Sequence, residues 1–141
     1  FLSENSEFAK IVTKHVSEVS ALKTVRKYLV RIQRKMAEID DCVLEGRDIG
    51  TVVFPNADFK FFFIANEKAR AERRLKDLKV IGETDSVENV MKGLISRDHK
   101  DSTRKHSPLK KPKNAIVIDT SKLAANEVIG KIVNIVKQKG H

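Results

Sequence analysis

Short apolar, β-favouring runs set among amphipathic helical stretches predict an α/β protein built on a parallel sheet. Three runs carry the prediction: Val43-Leu44-Glu45, Phe59-Lys60-Phe61-Phe62-Phe63-Ile64 and Ala115-Ile116-Val117-Ile118-Asp119. All are nearly continuous in apolar residues, as strands covered on both faces are. Ligands of such sheets bind at the carboxyl ends of the strands. That rule draws attention to the loop opened by Gly46-Arg47-Asp48, which ends the first run.

Bulk composition bounds the rest. A chain of 141 residues is sized for one domain that buries about two thirds of its unfolded surface. With 40% hydrophobic and 33% charged residues, a soluble globular protein is expected. No apolar run reaches the roughly 18 residues of a membrane span. The start lacks the basic-then-apolar order of a signal peptide, so the cytoplasm is the expected location. Cys42, the single cysteine, has no internal partner and is expected as a small buried hydrophobe in the first strand. His15, His99, His106 and His141 show no metal-ligand spacing, and no metal site is expected. Lys and Arg outnumber Asp and Glu by 28 to 19, so the surface should draw polyanions, nucleotides and nucleic acids alike.

In chain order, Phe8, Ile11, Val12, Val16 and Val19 predict an amphipathic helix from Glu7 to about Ala21. Val25, Leu29, Ile32 and Met36 share a face of a second helix, around which Arg26, Lys27, Arg31, Arg34 and Lys35 read as solvated charges. In the loop, Gly46 and Gly50 allow a sharp turn and close approach, Arg47 offers a planar fork suited to phosphate, and Asp48 can orient an arginine or accept from an amino group. The same residues equally describe a surface ion pair. After the second strand, Glu67 to about Leu78 is a helix dense in charge. Pairs such as Glu72 and Lys76 make it an ordinary solvated helix, whereas its arginines could also serve a lid, with Gly82 allowing movement.

The next helix begins near Ser86, with Asp85 or Ser86 as cap and Val87, Val90, Met91, Leu94 and Ile95 as its apolar stripe. Beyond it, Arg97, Asp101 and Arg104 stand at i, i+4 and i+7 on one face, a spacing that suits an ion-pair ladder or an anion site. Ser107-Pro108-Leu109 closes this helix, Pro112 interrupts a basic loop, and the third strand follows. Val128, Ile129, Ile132, Val133, Ile135 and Val136 form the packing face of a last helix.

The run Gly46-Arg47-Asp48-Ile49-Gly50-Thr51-Val52-Val53-Phe54-Pro55 resembles the signature of bacterial-type cytidylate kinases, and Arg97, Asp98, Asp101 and Arg104 match the R-D-x-x-D-x-x-R helix of that family. The resemblance runs from about Ser17 to about Leu109 and more loosely beyond. It implies an incomplete three-layer P-loop nucleoside monophosphate kinase fold with a helical lid, residues 1–141 forming one partial domain and 68–82 the lid. It implies transfer of the terminal phosphoryl of ATP to CMP or dCMP, a step of pyrimidine nucleotide metabolism, with ATP and Mg2+ required. Arg47, Arg97 and Arg104 would hold the acceptor phosphate and Asp101 its ribose. Ser17, Arg26 and Asp48 would read the base. Arg70, Arg73 and Arg74 would be the catalytic lid arginines. Thr120 and Ser121 would lie near the ATP base.

A kinase of this type also needs a G-x-x-x-x-G-K-[ST] loop around the donor phosphates. The six glycines here never form it. The chain is therefore expected to depend on a missing N-terminal segment or a partner chain, and to be marginally stable alone because strand edges are left unpaired. Glu45 stands where the family often has aspartate, which shifts any contact made there. The alternative function is a basic RNA-binding or remnant module without chemistry. Against it, one tyrosine and no tryptophan leave little for a base-stacking platform. No specific nucleic acid and no membrane is expected as partner.

Overall fold

The computed structural model describes His15, Glu18–Ser20 and Leu22–Lys139; His15 and Glu18–Ser20 are helical, and from Leu22 on the regular structure comprises two parallel strands and four helices. The elements are α1 (Lys23–Met36), β1 (Phe61–Ile64), α2 (Glu67–Val80), α3 (Val87–Thr103), β2 (Ile116–Asp119) and α4 (Ala125–Lys139), with a π-helical turn at Ile49–Val53. They fall into two compact units, one within Phe1–Asn56 and Arg97–Lys110, the other within Ala57–Ser96 and Lys111–His141. Most of the helix expected over 7–21, and Ser17 with it, lies outside the described residues. Among the described residues no helix is long and apolar enough to cross a membrane.

In the second unit, β1 and β2 pair in parallel with Phe62 opposite Val117 and Phe63 opposite Ile118. The β-branched and aromatic runs explain both strands. Their predicted burial on both faces does not hold: Ile118 is buried, but Phe63 and Ile64 remain 50% and 44% exposed. The reason is the width of the sheet, which has two strands among the described residues. Residues 41–45 form no strand, and Val43 is fully exposed. An isolated extended segment has no ladder to satisfy its amides, so apolar composition alone does not make it a strand. Cys42, on the same segment, is exposed rather than buried.

Helix ends follow their local chemistry. Asn66 caps α2 by accepting from the Ala69 amide at 2.8 Å, and Ser86 Oγ accepts from Asn89 at 3.1 Å at the start of α3. At the other end of α2 the Glu83 amide donates to Leu78 O and the Gly82 amide to Lys79 O, with Gly82 at φ 76°. That is a Schellman stop, where glycine supplies the left-handed residue. Gly82 thus terminates the helix. The α2 and α3 faces meet through Ala71, Leu78 and Val90, with Leu75, Val87, Met91 and Leu94 packed around them.

In the first unit, α1 buries no residue, and Leu22, Met36 and Tyr28 are 57%, 63% and 58% exposed. Its order comes from polar links to the turn at 49–53, which are the core of the site below.

Candidate functional site

Consecutive side chains of the Gly46-Arg47-Asp48 loop serve different partners. Asp48 is 3% exposed and receives a two-pronged pair from Arg26 of α1, Nε to Oδ2 at 2.8 Å and Nη2 to Oδ1 at 2.5 Å. Such fork-to-carboxylate pairs fix geometry as well as charge. The Asp48 carbonyl also accepts from the Val52 amide at 2.8 Å and from the Val53 amide at 3.3 Å, and the latter, with Phe54 N to Ile49 O at 2.7 Å, closes the π-helical turn. Gly46 is required here for space: a Cβ would lie 2.9 Å from Ile49 Cγ1. Neither Gly46 nor Gly50 has a positive φ.

Arg47 turns to α3. Its Nε lies 3.0 Å from Asp101 Oδ2 and its Nη2 lies 3.8 Å from Asp98 Oδ1. Arg97 and Arg104 reach the same Asp101 carboxylate at 3.9 and 3.7 Å. The i, i+4, i+7 spacing on α3 is what places all three on one face. Asp101 is 3% exposed, while the side chain of Arg97 is 49% exposed. Three guanidinium groups therefore surround two aspartates, leaving one positive charge in excess around a buried carboxylate. Contacts of 3.7 to 3.9 Å hold by charge rather than by hydrogen bonding. Arg97 thus makes no hydrogen bond to Asp101 and leaves its N-H donors half exposed.

Two supports were not read from the sequence. Arg34 donates from Nε to Val53 O at 2.9 Å and from Nη2 to Val52 O at 2.8 Å, so it is an anchor of the turn rather than a solvated charge. The sequence shows only that Arg26 and Arg34 stand about two turns apart on α1, which does not distinguish an anchor from a solvated charge. Beyond α3, Ser107 has φ 51° and accepts from Arg104 Nε at 2.6 Å, while the Leu109 amide donates to Asp101 O at 2.8 Å. The chain after the helix doubles back and fixes Arg104, whose side chain is 12% exposed.

The arginines at 70, 73 and 74 lie on α2, in the other unit. Arg73 there donates to Thr120 Oγ1 at 3.1 Å, to Thr120 O and to Leu123 O. At the same strand end Asp119 Oδ1 accepts from the Ser121 amide at 2.8 Å and from Ser121 Oγ at 2.6 Å, and Ser121 Oγ accepts from the Asn66 amide at 2.8 Å. The two Ser121 hydrogen bonds hold the Asp119 carboxyl below its ordinary value. This lattice stitches the carboxyl ends of both strands to the start of α2.

The first unit thus gathers Arg47, Arg97 and Arg104 around Asp101, and the described residues form a mixed α/β structure, mostly helical, with a two-stranded parallel sheet. A family model described as cytidylate kinase matches residues 4–138. A cytidylate kinase of Thermosipho melanesiensis is 49% identical over 115 residues, 82% of this chain and 53% of that protein. Those of Acholeplasma laidlawii and Halalkalibacterium halodurans are 43% and 48% identical over 92% and 91% of this chain, each aligned over 58% of its own length. The chain belongs to the cytidylate kinase family, a family of transferases, and spans a little over half the length of these curated relatives.

Proposed function

We propose that this chain provides the acceptor side of a cytoplasmic ATP-dependent kinase for CMP or dCMP. The observation that carries the reading is the convergence of Arg47, Arg97 and Arg104 on the buried Asp101. These arginines would take the acceptor phosphate. Asp101 would orient them and accept from a ribose hydroxyl, and Arg26 with Asp48 and Ser17 would read the cytosine edge. The bidentate Arg26–Asp48 pair supports that role, since it presents a fixed donor and acceptor together.

In the complete reaction an acceptor phosphate oxygen attacks the terminal phosphoryl of ATP in line, and positioning with charge neutralisation supplies most of the catalysis. Arg70, Arg73 and Arg74, in a lid over 68–82, are the proposed neutralising groups, within a three-layer P-loop nucleoside monophosphate kinase fold. The sequence holds no G-x-x-x-x-G-K-[ST] loop for the donor phosphates. Among the described residues no group of three or more His, Cys, Asp or Glu side chains could hold a metal, and no step is assigned to Mg2+ here. The test is an NMR titration of arginine Nε-Hε signals with CMP. Saturable shifts confined to Arg26, Arg47, Arg97 and Arg104 support the reading. Shifts spread evenly over surface arginines such as Arg31 would refute it.

A further inference from the structure

Helix α1 carries six basic residues and no carboxylate in fourteen positions. Arg26 and Arg34 are engaged with Asp48 and with the turn at 49–53. The others, Lys23, Lys27, Arg31 and Lys35, form an exposed row at strict four-residue spacing. None of them has an acidic partner among the described residues. Like charges at i, i+4 repel by a few tenths of a kcal/mol per pair. A merely solvated basic face ordinarily intersperses carboxylates at that spacing, and this one does not.

The row lines one wall of a groove of about 990 Å³, with Lys105 facing it from the segment after α3 and Glu38 as the acidic member of the lining. The protein's one tyrosine also lies here. Tyr28 is 58% exposed, with the Arg31 guanidinium 5.7 Å from its ring centre. An exposed π-face beside an unpaired basic row is the combination that binds single-stranded nucleic acid, with phosphates on the cations and a base on the ring. The spacing also fits. Four helical residues rise about 6 Å, so the row offers one cation per step over about 18 Å, on the scale at which phosphates follow one another along an extended strand.

We propose that this groove binds single-stranded RNA without sequence preference, separately from the acceptor-phosphate arginines of α3. Association is electrostatic and supplemented by one stacked base. Arg26, which also lines the groove, is shared with the cytosine contact proposed above, whereas Lys23, Lys27, Arg31 and Lys35 are not among the residues proposed to hold CMP.

The test is fluorescence anisotropy of the chain with a labelled oligouridylate of about ten nucleotides, a length within the range that single-strand sites cover. Four phosphate contacts predict a log-log salt slope of about −3, from roughly −0.7 per phosphate on a single strand. The combined variant Lys27→Glu, Arg31→Glu, Lys35→Glu should lose at least about tenfold in affinity, and Tyr28→Leu about fivefold. Glutamine at the same three positions should give a smaller loss in the same direction, and circular dichroism of each variant establishes that the helix is retained. Lys137→Glu with Lys139→Glu should leave binding near the parent value. Arg104→Met should keep the oligonucleotide, even though the acceptor reading expects it to lose CMP. Equal losses from the reversals at 27/31/35 and at 137/139, equal affinity for a duplex of the same length, or no binding at low salt would overturn the proposal.

Discussion

Arg26 and Asp48 form a two-pronged ion pair, at 2.8 and 2.5 Å, that ties α1 to the Gly-Arg-Asp loop with the carboxylate 3% exposed. Removing one partner strands the other in a poorly solvated place, and this asymmetry governs what substitution does. Asp48→Asn is expected to destabilise the chain by about 2 to 4 kcal/mol, read as a lowered urea midpoint. Adding Arg26→Met to it should cost less than the two single changes summed. A strictly additive double variant would show that the pair is not coupled.

The arginines around Asp101 should differ sharply from ordinary surface cations. Arg104→Met removes a charge-assisted contact worth about 1.5 to 3 kcal/mol, so CMP affinity is expected to fall about ten- to a hundredfold. Lys137→Met, at the exposed end of α4, should leave it unchanged. Calorimetric dissociation constants of the two variants provide the comparison, and equal effects would count against the site.

Arg34 acts through the turn it anchors. Losing its hydrogen bonds to Val52 O and Val53 O in Arg34→Met is expected to cost about 1 to 2 kcal/mol. Hydrogen exchange at the Val52 and Val53 amides should speed up while exchange in β1 and β2 stays as it was. Unchanged exchange in the turn would remove Arg34 from this role.

Asp119 supplies a pH signature. Its carboxyl is held below its ordinary value by Ser121, so the folded form keeps the proton off more strongly than the unfolded chain does. The contribution is present above the unfolded value, near 3.8, and is lost as pH falls through the folded one. An NMR titration of the carboxyl carbon should show a midpoint below 3.8, returning toward it in Ser121→Ala. A midpoint unmoved by that substitution would place the cause elsewhere.

The site was more legible in the sequence than the sheet. Arg97, Asp101 and Arg104 could be set on one face from helical spacing alone, because a continuous helix converts sequence distance directly into geometry. The adjacent Arg47 and Asp48 could be singled out, but not the fact that one faces α3 and the other α1, since that depends on the π-helical turn that follows. Helices α2 and α4 and both strands lay close to where their periodicity put them. Residues 43–45 did not form a strand, because a strand exists only with a neighbour and composition does not report neighbours. Arg34 was passed over for a related reason: on a helix rich in arginine and lysine, only the two carbonyls opposite it distinguish an anchor from a solvated charge.

The central claim is that these arginines receive the phosphate of a cytidine nucleotide. Its most direct test is a calorimetric titration of the chain with CMP, with UMP and AMP as comparisons, at low and moderate salt. Saturable binding that favours CMP over both and is lost in Arg104→Met is expected. Absence of binding, or equally weak binding of all three nucleotides that fades together with salt, would contradict it.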